Sequence, residues 1–297
     1  MLASPGMVAS ASARAGSTAG GPGREVFPAE LSVITVTHNH GPFIGALLDS
    51  LDEERKRIDL EVLVVDNASD DDGAAVAASR PWVRAMRNQA RHGFAFNNNL
   101  AIRASRGRHV LLLNPDTEVR PGALPELVAY LDAHPRVGIC GPRLLFPDGS
   151  VQPSARRFPT LGWVLARRTP LRLVLGRTVW SRRHLMEDGH LDTPQKVDWL
   201  LGAALAVRRD LLRTVGLLDE GYFLYVEDID WAYRARLAGW EVHYVPAAQV
   251  VHHYQAEIDR ALLSRRSWMH ARGMWRFYRK HMAPRWLRAR VEPERLD

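Results

Sequence analysis

Two apolar runs that each stop on a carboxylate constrain this chain more than anything else in it: Val64-Val65-Asp66-Asn67-Ala68-Ser69-Asp70 and Val110-Leu111-Leu112-Leu113-Asn114-Pro115-Asp116. An apolar run of this length fits a strand buried on both faces of a parallel sheet. Its abrupt polar ending puts the acid at the carboxyl edge, where open α/β sheets bind ligands. Two acids at such an edge point to a nucleotide and a metal.

The surrounding pattern agrees. Strands over Leu31 to Thr37, Leu60 to Asp66, Val83 to Arg87 and His109 to Leu113 alternate with helices over Pro42 to Leu51, Asp70 to Arg80, Phe94 to Ser105 and Pro121 to His134. Such alternation means right-handed crossovers and an α/β fold on a mostly parallel sheet flanked by helices, with a nucleotide half over about 29–135. Further on the character changes to short strands and turns such as Phe146-Pro147-Asp148-Gly149-Ser150. Residues 158–190 are basic and proline-broken, which fits a mobile lid or acceptor-facing flap. Trp199 to Val207 reads as one small-residue apolar run, followed by a helix over Arg209 to Val215 closed by Gly216. A helix over Glu227 to Ala238, a strand over Trp240 to Val245 and a separate short strand, Val250-Val251, ending in His252 and His253 complete the pattern.

With 297 residues, 46% hydrophobic and 25% charged, the chain can bury a sizeable core. No window supplies the roughly 18 consecutive apolar residues that a membrane span needs. Residues 1–28 read as a disordered leader, and the single cysteine, Cys140, forms no internal bridge, so a cytoplasmic protein is expected. The net charge of +7 is concentrated at Arg156–Arg157, Arg167 to Arg183 and Arg260 to Arg290, among Trp163, Trp180, Trp268, Trp275 and Trp286. Basic residues with tryptophan suit an anionic membrane surface, here the inner face of the plasma membrane. The same mixture serves RNA or a solvated helix face, and composition alone does not separate the three.

Four places carry candidate chemistry. Asp66, with Asn67 and Ser69 after it, can accept hydrogen bonds from a base or ribose, and Asn39 and His40 close the first strand similarly. Asp116, in the rigid Asn114-Pro115-Asp116 turn, suits a hard cation such as Mg²⁺ or Mn²⁺ beside phosphates. Glu227, Asp228 and Asp230 follow aromatic residues at a helix start, where partial desolvation suits a general base. Helical spacing points them in different directions, so only one of the three need be chemical. His252 or His253 could complete a metal site begun by Asp116.

The joint order of these motifs, with Gly93-Phe94 to Asn98-Asn99, Asp148-Gly149-Ser150, Pro153-Ser154-Ala155-Arg156, Gly202-Ala203-Ala204 and Phe223-Leu224-Tyr225-Val226, resembles the inverting nucleotide-sugar glycosyltransferases of family 2. Their fold is called GT-A, and the similarity is to the rhamnosyltransferase-like branch, from Leu31 to about His253. The resemblance implies a domain over 29–256, its acceptor half over about 136–256, and a basic aromatic helical segment over 257–297. It implies Asp228 as catalytic base and Asp116 with His252 as metal ligands. Thr37, Asn39, Asp66, Asn67, Asn98, Asn114 and Asp116 would lie on the donor side, and Arg156, Trp199, Gly202 and Glu227 on the acceptor side. Two positions depart from the pattern. Asn114 stands where an aspartate is common, and Tyr254-Gln255-Ala256-Glu257 follows the histidines where the branch often has serine or glycine. That leaves the choice between His252 and His253 open.

The implied donor is a dTDP- or UDP-sugar, with dTDP-rhamnose favoured. The implied acceptor is a hydroxyl on a glycan or polyprenyl-diphosphate carrier in cell-envelope polysaccharide synthesis. A dinucleotide oxidoreductase is excluded, because Thr37-His38-Asn39-His40-Gly41-Pro42 lacks the glycine-rich turn. A non-catalytic sugar-nucleotide binder and a basic nucleic-acid-binding protein are the alternatives, although no nucleic acid is expected as a partner.

Overall fold

The structure is a computed structural model that describes residues 27–158, 186, 192–253, 265–283 and 294–296. The expected leader and flap therefore lie almost wholly outside the described residues. The first half runs β1 (Ala29–Thr37), α1 (Gly41–Glu54), β2 (Leu60–Asp66), α2 (Gly73–Ala78), β3 (Val83–Arg87), α3 (Phe94–Ala104) and β4 (Gly107–Leu113). Its strands lie parallel in the order β3-β2-β1-β4. Each apolar run feeds two cores by its period of two. Val110 and Leu112 of β4 pack with Ile34, Leu63 and Ile102 on one side of the sheet. Leu111 and Leu113 pack with Val33, Val64 and Leu47 on the other.

The second half runs β5 (Thr117–Val119), α4 (Ala123–Ala133), β6 (Val137–Leu145), β7 (Val151–Gln152), β8 (Ala155–Arg156), β9 (Gln195–Val197), β10 (Trp199–Leu200), β11 (Ala204–Arg208), α5 (Arg209–Val215), α6 (Glu227–Leu237) and β12 (Glu241–His252). The sheet continues β4-β11-β6-β12-β5, with β11 antiparallel to both neighbours and β6 parallel to β12. Helix α7 (Arg265–Phe277) and a π-helical turn, Tyr278–Met282, follow. One buried acid joins the halves. Glu54, at the end of α1, accepts the N–H groups of Gly122 at 2.7 Å and Leu124 at 2.9 Å, so a carboxylate caps the positive end of α4.

Several expectations need correcting. Residues 70–72 stay outside α2, because Asp71 accepts from the N–H of both Gly41 and Gly73 and holds the turn open. Gly122, at φ +85, delays α4 to Ala123. The region after His134 is not merely short strands: β6 is nine residues long and sits inside the sheet. The apolar run from Trp199 is two strands in different sheets, broken at 201–203 where backbone groups turn to other partners. The two strands expected around 240–253 are one, β12, whose register shifts between Val245 and Gln249. Pro246 lacks the N–H that a regular ladder requires there, so the strand bulges and resumes.

Candidate active site

At the carboxyl edge of the parallel strands, Thr37 and Asp66 are register partners. Thr37 Oγ1 and Asp66 Oδ2 are both buried without a hydrogen bond among the described residues, although Arg87 Nε stands 3.3 Å from that Asp66 oxygen. Buried polar atoms are nearly always satisfied, so two adjacent orphans at a sheet edge mark a place where a polar ligand finishes the pairing.

Their expected companions have other work. Asn67 accepts from the His92 N–H at 2.8 Å and donates to the His92 carbonyl at 3.0 Å. Asn39, at φ 59, accepts from the Asp70 N–H and ties the two loops together. Asn98 donates back to the Phe94 carbonyl within α3. Each of these three side chains is thus bonded within the protein.

Asp116 follows β4 and meets the end of β12. The His253 N–H donates to the Asp116 carbonyl at 2.8 Å, and His252 Nε2 lies 3.5 Å from Asp116 Oδ1. The other ring nitrogen, Nδ1, lies 2.8 Å from Gln152 Oε1. An amide oxygen only accepts, so Nδ1 donates to Gln152, and Nε2 is the ring atom that faces Asp116. His253 turns away to Glu118 at 2.6 Å, so the geometry selects His252. Burial works to raise the Asp116 carboxyl, but the His252 ring beside it, helped by His40, outweighs burial and holds it below its ordinary value. A carboxylate oxygen and an imidazole nitrogen converging in this way fit a divalent cation. Among the described residues no third histidine, cysteine or acid joins them, so a bound ion would draw on phosphate oxygens and water. Asn114, the departure from the Asp-x-Asp pattern, contributes backbone: its N–H donates to Ala203 O and its carbonyl accepts from Thr117.

That contact with Ala203 brings the acid cluster alongside. The next residue back, Gly202, donates its N–H to Asp228 Oδ2 at 3.1 Å, while Asp228 Oδ1 accepts from the Ile229 N–H at 2.8 Å. Tyr225 at φ 70 and Val226 at φ 75 both take the left-handed conformation just before α6. Two consecutive non-glycine residues in that region store strain of about 1–3 kcal/mol each, the kind of cost that persists where a turn must aim a side chain. Burial pushes the Asp228 carboxyl up to about 6, with backbone hydrogen bonds and then Arg156 opposing it. Glu227, buried with Oε2 unbonded among the described residues, is raised well above its ordinary value by burial and by Asp228. Burial raises both carboxyls, and the charge of one disfavours the charge of the other.

Asp230 faces the interior, bonded to Arg234 at 2.7 Å, His281 at 2.8 Å and Lys280 at 3.1 Å. Burial works against its charge, but these partners win and hold it below the ordinary range. Arg156 lies 5.7 Å from the Trp199 ring, next to the same cleft.

The family model for glycosyl transferase family 2 matches residues 32–215. The chain belongs to that family. This family 2 glycosyltransferase, a nucleotide-sugar-dependent enzyme, is 36% identical over 240 residues to the N-acetylglucosaminyl-diphospho-decaprenol L-rhamnosyltransferase of Mycobacterium tuberculosis, covering 75% of this chain and 76% of the relative. It is 27% identical over 258 residues to the rhamnosyltransferase WbbL of Escherichia coli, covering 82% and 91%. Among solved structures it resembles the mannosyltransferase PcManGT of Pyrobaculum calidifontis in complex with GDP-Man and Mn²⁺, with a TM-score of 0.59 and 21% identity over 88% of this chain and 70% of that one. That likeness confirms the GT-A fold.

Sequence reasoning about this glycosyltransferase missed Gln152 and Arg87. Gln152 lies in a two-residue strand with no local signature, and only the pairing of β7 with β6 brings it near His252. Arg87 could have been found by extending the Thr37 and Asp66 row one strand further, since Asp66 and Arg87 are register partners.

Proposed function

We propose that this enzyme transfers L-rhamnose from dTDP-rhamnose, with inversion, to a hydroxyl of a sugar carried on a polyprenyl diphosphate, in cell-envelope polysaccharide synthesis. The single observation that supports the reading is the backbone bridge from Asn114, two residues before Asp116, through Ala203 and Gly202 to the Asp228 carboxylate. The relatives named as rhamnosyltransferases, one of them acting on a diphospho-decaprenol acceptor, support the sugar and the carrier.

In this reading Thr37 and Asp66 bind the base and ribose, with Arg87 beside the Asp66 carboxylate. Asp228 takes the proton of the acceptor hydroxyl as that oxygen attacks the anomeric carbon, and the bond to the diphosphate breaks on the opposite face. Glu227, Arg156 and Trp199 line the acceptor approach, with the unbonded Glu227 Oε2 open to a substrate hydroxyl. Asp116 and His252 would hold a divalent cation, Mg²⁺ or Mn²⁺, which would supply Lewis-acid neutralisation of the departing diphosphate. A lipid-linked acceptor puts the reaction at the inner face of the membrane, and among the described residues no helix is long and apolar enough to cross one.

The test is a donor panel of dTDP-rhamnose and UDP-hexoses with a polyprenyl-diphosphate-linked amino sugar and Mn²⁺. Rhamnosyl product with release of dTDP is expected, lost in chelator and restored by the metal. Turnover confined to a UDP-sugar would overturn the donor, and turnover undiminished in chelator would overturn the metal.

A further inference from the structure

Helix α7 has two faces of opposite character. Gly273, Met274 and Phe277 are buried, and the helix presses so closely on the strained turn before α6 that a Cβ at Gly273 would lie 2.9 Å from Val226 Cγ2 and 3.2 Å from Tyr225 O. The outward side of this helix and the π-helical turn presents Trp268, Arg272, Trp275, Arg279 and Met282. Both indoles are 62% exposed. Phe223, 44% exposed on the loop leading to Asp228, faces the same groove of about 510 Å³ as Trp268, Arg272, Trp275 and Arg279. Large rings left in water beside one another mark a contact surface.

Charge selects the occupant. From residue 265 to 283 there is no Asp or Glu. The inward-facing cations are committed within the fold: Arg276 and Lys280 bind Asp219, and Lys280 and His281 bind Asp230. The outward arginines sit among the rings, with the Arg272 guanidinium 5.7 Å from the Trp268 ring. Indoles interleaved with cations on a rigid amphipathic helix match the headgroup layer of an anionic bilayer, where rings lie at the interface and cations meet lipid phosphates.

We propose that the outward face of α7, together with Phe223, docks on an anionic membrane surface and so holds the Asp228 turn at the height of a lipid-linked hydroxyl. The purpose of this docking rests on the acceptor reading above; the docking itself does not. Because α7 touches Tyr225 and Val226 directly, a helix seated in the headgroups fixes how far Asp228 stands from the bilayer.

The experiment floats the whole protein, without donor or acceptor, on vesicles of phosphatidylcholine alone or mixed with phosphatidylglycerol. The wild type should float with the anionic vesicles and less so as salt rises. The double variants Trp268→Ala/Trp275→Ala and Arg272→Glu/Arg279→Glu should each lose at least about tenfold in partitioning with an unchanged melting temperature. In parallel, both variants should lose transfer to an acceptor embedded in vesicles while keeping transfer to a short-chain, water-soluble acceptor. A wild type that ignores anionic vesicles overturns the proposal, as do variants that float like the wild type. So does a wild type that self-associates or binds RNA through this face in place of vesicles. An enzyme that floats but transfers no rhamnose would refute the proposed donor and leave the docking surface standing.

Discussion

Asp228 is a carboxylate held by backbone rather than by cations, and that combination sets its chemistry. Burial raises it to about 6, while the Gly202 and Ile229 N–H groups keep it within reach of ionisation at neutral pH. With Asp228 as the proposed base, the rate of transfer should rise with pH through about 6 and level off above it, since a base acts only when deprotonated; a pH profile of kcat/KM measures this. The sign for stability is the reverse. A carboxyl raised in the folded state stabilises below its unfolded value and loses that contribution as pH climbs past about 6. Asp228→Asn should accordingly abolish transfer, leave nucleotide-sugar affinity within a few fold by calorimetry, and raise the melting temperature at pH 7 by roughly 2–4 °C. Asp116→Ala should instead weaken donor binding in the presence of Mn²⁺ by about tenfold or more, with little change in its absence.

At the scale of elements, the turn Tyr225–Val226 carries strain and α7 leans on it at Gly273. Gly273→Ala inserts a Cβ where the nearest atom is 2.9 Å away, so the turn must shift. The expected result is a fall in kcat of about tenfold with KM for the donor nearly unchanged, because only the Asp228 side of the cleft moves. The strands of the parallel half were legible from sequence because their apolar runs end abruptly on Asp66 and beside Asp116. The limits of β2 and β3 come out as read, since nothing competes with the ladder there. The acceptor half was harder. The break at 201–203 has no turn residue beyond Gly202; it exists because Ala203 and Gly202 bond to Asn114 and Asp228, partners far away in the chain. The intramolecular bonds of the asparagines were hidden for a related reason. A polar side chain at a strand or helix end looks ready for a ligand, yet Asn67 and Asn39 are occupied by loops whose path only the fold determines. That His252 rather than His253 faces Asp116 depends on Glu118, which takes the His253 ring, and on Gln152, which sits 100 residues from His252 in sequence.

Across the whole molecule, two buried acids anchor the C-terminal helix. Asp219 binds Arg276 and Lys280, and Asp230 binds Arg234, Lys280 and His281. Removing one partner strands the others away from water, so Asp230→Ala should destabilise the protein by about 3–5 kcal/mol, read by urea unfolding. Because partners hold Asp230 below its ordinary value, its contribution is present at neutral pH and disappears as the solution is acidified. The same helix that a membrane would meet is thus bolted to the element bearing the base. The bond from Gly202 has a broader consequence. Peptide groups do not change when side chains do, so the acid proposed as the base keeps its aim while the cleft walls drift over evolutionary time. A scaffold wired in this manner can exchange one sugar or one carrier for another through wall substitutions alone, without rebuilding the machinery that makes the bond.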